Sequence, residues 1–346
     1  MDKIRFFIGG CVFISSMLMI GCGGGGNSSI TSTTTTTAQK QATQVSGGNT
    51  HTCAMTSSGG VKCWGSAFGA LGNNITISSK VPVDVFGLTS GTTYISAGSN
   101  HTCAVTTSGG VKCWGLNVDG QLGNGTNAGP ESCVLKPCSK TPVDVVGLTS
   151  NISSVSGGAS HTCAVTTSGG VKCWGNNYDG ELGNNSTIDS SVPVDVIGLT
   201  SGLSYVSAGY GHTCAVTASG GVKCWGYNFN GQLGNNSTAN SSVPVDVIGL
   251  TSGVLTVSAG GGSTCAIMAS GGVKCWGNGQ SGELGNNSMT DSSIPVDVVE
   301  LTSGASSVSV GYSQTCAVTT SGGVKCWGAN YDGQLGNNST VNSSAS

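Results

Sequence analysis

The chain reads as an all-β propeller of six repeats, and three observations lead there. A run close to HTCAVTxSGGVKCWGxNxxGQLGN recurs six times, with its tryptophans at Trp64, Trp114, Trp174, Trp225, Trp276 and Trp327. The spacings are 50, 60, 51, 51 and 51 residues, a period that belongs to radial or stacked β-arrays. Each period holds four short β-rich segments separated by Gly- and Asn-rich turns, the arithmetic of a propeller blade.

Before the repeats lies an export segment. Lys3 and Arg5 precede an almost wholly apolar stretch over residues 6–20, the two parts of a signal peptide. The sequence Leu18-Met19-Ile20-Gly21-Cys22 resembles a bacterial lipobox, in which Cys22 receives lipid and becomes the new N-terminus. An ordinary signal peptide or an uncleaved anchor are the alternatives, although the apolar run is short for a membrane span. Residues 22–44 are rich in Gly, Ser and Thr without hydrophobic periodicity and read as a flexible tether. The expected organisation is signal peptide 1–21, tether 22–44 and repeat domain 45–346. The expected location is the outer membrane or cell surface, with secretion or the periplasm as alternatives.

Composition narrows the function. Charged residues make up 8% of the chain and Gly numbers 59, yet regular Val, Ala, Trp and Cys positions argue for packed strands over disorder. Arg5 is the sole arginine and the net charge is -3, which opposes nucleic-acid binding.

Sixteen cysteines are present. With Cys11 in the signal and Cys22 lipidated, fourteen remain, an even number that reads as disulfides in an exported chain. Twelve form six C-x9-C pairs: Cys53 with Cys63, Cys103 with Cys113, Cys163 with Cys173, Cys214 with Cys224, Cys265 with Cys275 and Cys316 with Cys326. TCAVT and VKCWG are strands and SGG is the turn between them. The midpoint of Cys103 and Cys113 is Ser108, so the two stand opposite each other, with Gly109 or Gly110 supplying a positive φ. Metal binding is the rival, because His51, His101, His161 and His212 each precede a Cys by two residues. Ser263 and Gln314 take that place in the last two repeats, which favours disulfides and makes the histidines strand-end residues bonded to a neighbouring blade.

The repeat's other strands are a Pro-Val-Asp-Val segment, as in residues 192–199, and the alternating run before each His, as in residues 205–209. Placed in the order PVDV, VSAG, HTCAVT, GVKCWG, five units are complete and one lacks a strand. An open ring, a seventh copy or a partner strand are the three ways to satisfy the edge. The HTCAVT run, the VKCWGxN strand end, the GQLGN turn (Gly120-Gln121-Leu122-Gly123-Asn124, and again at 231–235) and the following Pro-Val resemble the regulator of chromosome condensation (RCC1) repeat family over residues 45–340. The resemblance implies a β-propeller, commonly of seven blades. It leaves six or seven blades open here.

No cofactor motif or nucleophilic constellation stands out. The Asn-x-Asp-Gly turns lack the acidic positions of a calcium loop and read as turn formers. One segment breaks the symmetry: residues 127–139 insert a second kind of cysteine pair, Cys133 with Cys138, and carry Glu131, Val134, Leu135 and Lys136 as a candidate binding loop. Tyr94, Tyr178, Tyr205, Tyr210, Tyr227, Phe229, Tyr312 and Tyr331 vary between copies and are further candidate contacts where they lie outside packed strands. The expectation is a monomeric, membrane-anchored protein-binding scaffold with an unidentified protein ligand and no catalysis. A polysaccharide-active enzyme or a purely structural envelope protein are the alternatives, and guanine-nucleotide exchange is disfavoured by export and the lack of arginine.

Overall fold

The computed structural model describes residues 41–346 apart from positions 67 and 134; the signal, Cys22, most of the tether and Val134 lie outside the described residues. The elements are all strands, and they form six small antiparallel sheets. Blade one comprises β1 (Ala42–Gly47), β2 (His51–Thr56), β3 (Val61–Gly65) and β4 (Ser79–Asp84). Blade two comprises β5 (Thr92–Ala97), β6 (His101–Thr106), β7 (Val111–Leu116), β8 (Glu131–Cys133) and β9 (Lys136–Asp144). Blade three holds β10 (Ile152–Gly157), β11 (His161–Thr166), β12 (Val171–Gly175) and β13 (Ser190–Asp195). Blade four holds β14 (Leu203–Ala208), β15 (His212–Thr217), β16 (Val222–Gly226) and β17 (Ser241–Asp246). Blade five holds β18 (Val254–Ala259), β19 (Ser263–Met268), β20 (Val273–Gly277) and β21 (Ser292–Asp297), and blade six has only β22 (Ala305–Val310), β23 (Gln314–Thr319) and β24 (Val324–Gly328).

Two expectations need correction. The first strand begins at Ala42, inside the stretch read as tether, because Gln44 and Ser46 bond the main chain of blade two at Ile95 and Ala97. The repeat unit also has a different phase. The Pro-Val-Asp-Val strand closes the sheet of the VKCWG strand before it, so each blade reads VSAG, HTCAVT, VKCWG, PVDV. Blade one is therefore complete and blade six is the short one.

The cysteine pairs fall where the hairpin places them. Between the second and third strands of successive blades, Cys53 faces Cys63, Cys103 faces Cys113 and Cys163 faces Cys173. Cys214 faces Cys224, Cys265 faces Cys275 and Cys316 faces Cys326 in the same register. In each pair the sulfurs are at bonding distance, as are those of Cys133 and Cys138. Gly109 has φ +77°, as the turn demands of it. By the chain-entropy model each short loop contributes roughly 2–3 kcal/mol.

The core lies between blades. The disulfide, two valines and the Leu of the GxLGN turn on one blade meet an Ala and the Trp of the next: Cys163, Cys173, Val165, Val171 and Leu182 pack on Ala215 and Trp225. Four further clusters repeat this at the other junctions from blade one to blade six. The indole N–H groups of Trp114, Trp174, Trp225, Trp276 and Trp327 each donate to a carbonyl of the preceding blade, at Ala70, Gln121, Glu181, Gln232 and Glu283, over 2.8–2.9 Å. The histidines do the same work laterally. The Nε2 atoms of His51, His101, His161 and His212 lie 2.8–2.9 Å from the Thr hydroxyls of the next blade. Burial holds these imidazoles neutral, with pKa values lowered to about 4, 3, 3 and 4.

Among the described residues none of these links joins blade six to blade one. The described residues form a six-bladed propeller whose seam, between blades six and one, is open.

Candidate functional site

Strand direction decides which loops share a face. Successive strands of a blade run antiparallel, so the first-to-second and third-to-fourth connections emerge at one end. The SGG turns and the connections between blades emerge at the other. The first set carries nearly all of the distinctive side chains.

At the centre of that face the first strands and their loops converge on the axis. Gly47, Gly98, Gly158, Gly209, Gly260 and Gly311 line a cavity of about 350 Å³. Small residues are needed because adjacent loops touch: a Cβ on Gly158 would lie 2.5 Å from the Gly209 carbonyl oxygen. Main-chain bonds link these loops in series, among them Ser99 N–H to Gly158 O, Tyr210 N–H to Gly260 O and Gly261 N–H to Gly311 O. Tyr210 and Tyr312 stand at the rim, edge to face at 5.6 Å.

Around this centre runs a ring of exposed apolar side chains at one equivalent turn position of successive blades: Phe68, Val118, Tyr178, Phe229 and Tyr331. Blade five places Gln280 there. A buried Asn holds each turn in most blades. Asn177 Oδ1 accepts the Leu182 N–H, and its Nδ2 donates to Asn184 Oδ1 and to the Ser186 and Ile188 carbonyls. These Asn-x-Asp-Gly turns thus consume their own polar atoms, as a turn former does. Among the described residues no group of three metal-capable side chains comes together.

The structure sorts the variable aromatics. Tyr94 and Tyr205 lie on first strands, half-buried between blades, and burial raises both phenols, Tyr94 to about 12. Tyr227 is half-buried, stacked on Phe229 at 6.5 Å. Tyr178, Tyr210, Phe229, Tyr312 and Tyr331 remain exposed.

The inserted segment rises on the same face, because it lengthens the third-to-fourth connection of blade two. It folds as a β-hairpin, β8 pairing with the start of β9. Cys133 and Cys138 are wholly buried against Leu116, and a Cβ on Gly69 of blade one would meet Cys133 Sγ at 2.8 Å. The hairpin is therefore rooted between blades one and two. Glu131 faces inward: its Oε2 accepts the Lys140 N–H at 3.1 Å and lies 3.5 Å from Lys140 Nζ. It braces the hairpin instead of presenting a contact. Leu135 is 96% exposed and Lys136 is exposed beside it. Leu135 has φ +67°, a conformation unfavourable to a branched side chain and one that persists only where the surroundings impose it.

Sequence reasoning missed two buried acids. Glu181 and Glu283 replace the Gln of the GQLGN turn and take over its hydrogen bond, accepting the N–H of Asp179 and Ser281. Gln121 makes the same bond to Asp119. Burial raises both carboxyls, Glu181 to about 7. The signal was visible as Gly-Glu-Leu-Gly-Asn in two of the repeats.

This architecture defines a class: a rigid repeat propeller whose loops and one insertion gather on a single face. Models of the "Regulator of chromosome condensation (RCC1) repeat" match residues 58–105, 108–165, 168–216, 219–267 and 270–318, and a second form matches six segments from 42–67 to 305–334. The chain belongs to the RCC1 repeat family. It is similar to the mitochondrial RCC1 domain-containing protein RUG3 of Arabidopsis thaliana, 33% identical over 74% of this chain and 58% of the relative. It is also similar to the ultraviolet-B receptor UVR8 of Arabidopsis thaliana, 33% identical over 57% of this chain and 46% of the relative. The chain thus spans about half the length of these two relatives. Among solved structures, human WBSCR16 superposes with a TM-score of 0.76 at 22% identity, covering 89% of this chain and 82% of that one. Yeast RCC1 (Prp20), in its complex with Kap60, gives 0.73 at 20% identity over 87% and 73%. These two show the fold.

Proposed function

We propose that this chain is an exported, lipid-anchored scaffold that binds a protein partner through the face carrying the hairpin. The observation that carries the reading is Leu135. An aliphatic side chain at 96% exposure, fixed at positive φ on a hairpin stapled by a buried disulfide, is costly unless something covers it. Six exposed aromatics share its face, and Tyr and Phe on rigid turns are effective interface anchors with little rotamer entropy to lose. The yeast RCC1 structure, solved with Kap60 bound, supports a protein-binding role for the fold.

Attachment rests on the sequence. Lipid on Cys22 and the Gly/Ser/Thr-rich stretch behind it would hold the propeller at a membrane surface while leaving its faces free. The fourteen paired cysteines fit an oxidising compartment.

The test compares affinity capture from envelope extracts by the oxidised protein and by a Leu135→Asp, Lys136→Glu variant. A partner held by the first and lost at least tenfold by the second supports the reading. Equal capture by both, with the variant still folded, contradicts it.

A further inference from the structure

Charge on this propeller is sorted by face. Lys62, Lys112, Lys172, Lys223 and Lys274 stand at the SGG end of the third strands, and each holds an Asp of the fourth strand at 2.6–2.7 Å. Lys325 holds Glu300 at 3.1 Å and Lys140 holds Glu131 at 3.5 Å. Among the described residues this leaves two lysines without an ion pair, Lys80 on blade one and Lys136 on the hairpin of blade two. It also leaves the carboxylates of Asp119, Asp179, Asp189, Asp291 and Asp332, with the buried Glu181 and Glu283. All of these acids lie in the connections that follow third strands, on the hairpin-bearing face.

From blade three to blade six the unpaired charge on that face is wholly negative. Neutral donors hold it in place. Asn240 Nδ2 donates to Asp179 Oδ1 from the next blade at 2.7 Å, and the Asn177 N–H donates to Asp189 Oδ1 at 2.8 Å. Asn230 Nδ2 reaches Asp291 Oδ2 across blades at 3.1 Å. Beside these acids Tyr178, Phe229 and Tyr331 are 69–79% exposed.

The buried acids are a separate sign. Glu181 and Glu283 are 3% and 2% exposed. Each spends one carboxylate oxygen on the N–H of the exposed turn above it, at Asp179 or Ser281, and the other oxygen has no hydrogen-bond partner among the described residues. Burial, followed by the like charge of Asp179 and Asp189, opposes ionisation of Glu181; burial and then Asp291 do the same at Glu283. Gln121, Gln232 and Gln334 show that the turn has a neutral solution at this position. A cation lying over the arc relieves the cost that Gln avoids. The described acids do not gather three to a point, as a metal ion would need, but are spread from blade to blade.

We infer that the acidic and aromatic arc of blades three to six receives an extended, Lys- and Arg-rich segment of a partner protein. Its cationic heads would pair with Asp179, Asp189, Asp291 and Asp332 and lie over the rings of Tyr178, Phe229 and Tyr331. Complementary charge would steer its approach and set its register. A second copy of this chain is a poor occupant, because its described residues offer only Lys80 and Lys136 as unpaired cations against the same negative arc. The inference rests on the reading of this face as protein-binding, and it uses no residue of the hairpin.

The probe is a labelled octapeptide of alternating Lys and Arg, titrated onto the oxidised protein by fluorescence anisotropy at two salt concentrations. Saturable binding that weakens with salt is expected. Asp179→Asn, Asp189→Asn, Asp291→Asn and Asp332→Asn together should weaken it at least tenfold, since each exposed pair is worth up to about fivefold. Blade four already carries Asn230 and Asn240 at the equivalent places, so this variant should keep its fold, as circular dichroism checks. Tyr178→Ala, Phe229→Ala and Tyr331→Ala together should weaken binding about threefold or more. The control neutralises Asp84, Asp144, Asp195 and Asp246 at the other end, the same change in net charge, and should leave binding within about twofold. No saturable binding, equal loss in the two neutralised variants, indifference to the aromatic substitutions, or calcium binding that excludes the peptide would each overturn the inference. A natural partner lost with Leu135→Asp, Lys136→Glu but kept by the four-aspartate variant would overturn it too, and would leave the protein-binding reading of the face standing.

Discussion

Single residues at the blade junctions fix the pH response of this protein. The Glu181 carboxyl sits where other repeats place Gln, and burial raises its pKa from 4.5 to about 7. A folded value above the unfolded one means that the native state holds more protons between these two pH values. Stability contributed by the protonated form is full below pH 4.5 and lost as pH rises toward 7. Glu181→Gln removes that loss. It should raise unfolding free energy by up to about 3 kcal/mol at pH 8 and leave it nearly unchanged at pH 4, measured by urea denaturation. The four buried histidines act oppositely: their folded values lie below 6.5, so their contribution is full above that pH and falls away in acid. The role of the histidines as links to a neighbouring blade was legible in sequence because all four share one repeated position. Glu181 was not singled out, since a Gln-to-Glu exchange in a turn announces nothing until the turn is buried.

At the scale of the blade, the GxLGN turn is the element that seats one repeat on the next. Gly72, Gly123, Gly183, Gly234 and Gly285 have φ of 63–68°, and a Cβ on any of them would lie 2.7–2.8 Å from the indole nitrogen of the next blade's Trp. Gly336 has the same φ, +67°, with nothing within 4 Å. Gly183→Ala combines backbone strain with displacement of Trp225 and should cost about 3 kcal/mol or more. Gly336→Ala bears the backbone strain alone and should cost about 1 kcal/mol. Thermal melts of the two variants measure the difference directly. The strand segments, their hairpin turns and the cysteine register were all readable from periodicity and turn chemistry. The phase of the unit was not, because a cyclic repeat has no natural first strand. Only hydrogen bonding shows that Asp195 belongs with Lys172 and not with the strand that follows it. The inward direction of Glu131 was likewise hidden, since nothing in residues 127–139 reveals that Lys140 lies beside it.

For the whole molecule, a single fact organises stability: among the described residues five junctions are built and the sixth is open. Cysteine pairs in blades one to five are fully buried under the next blade, from Cys53 with Cys63 to Cys265 with Cys275, as is Cys133 with Cys138 beneath the hairpin. Cys316 and Cys326 of blade six are partly exposed, beside Val324. Trp64, facing the seam from the other side, is only half-buried, whereas the five other tryptophans are fully buried. The sequence showed that one unit was short of a strand, but it could not show whether the neighbours would shift to close the ring. Thiol–disulfide exchange requires access to a sulfur atom, so the seam can be read chemically. The decisive measurement is limited reduction of the folded protein under native conditions, followed by alkylation and peptide mass spectrometry. The open seam predicts that Cys316 and Cys326 are alkylated first and well ahead of the other six pairs. Alkylation of all blades at a common rate, or protection of blade six equal to that of blades one to five, would mean that the ring closes in solution and would contradict this account.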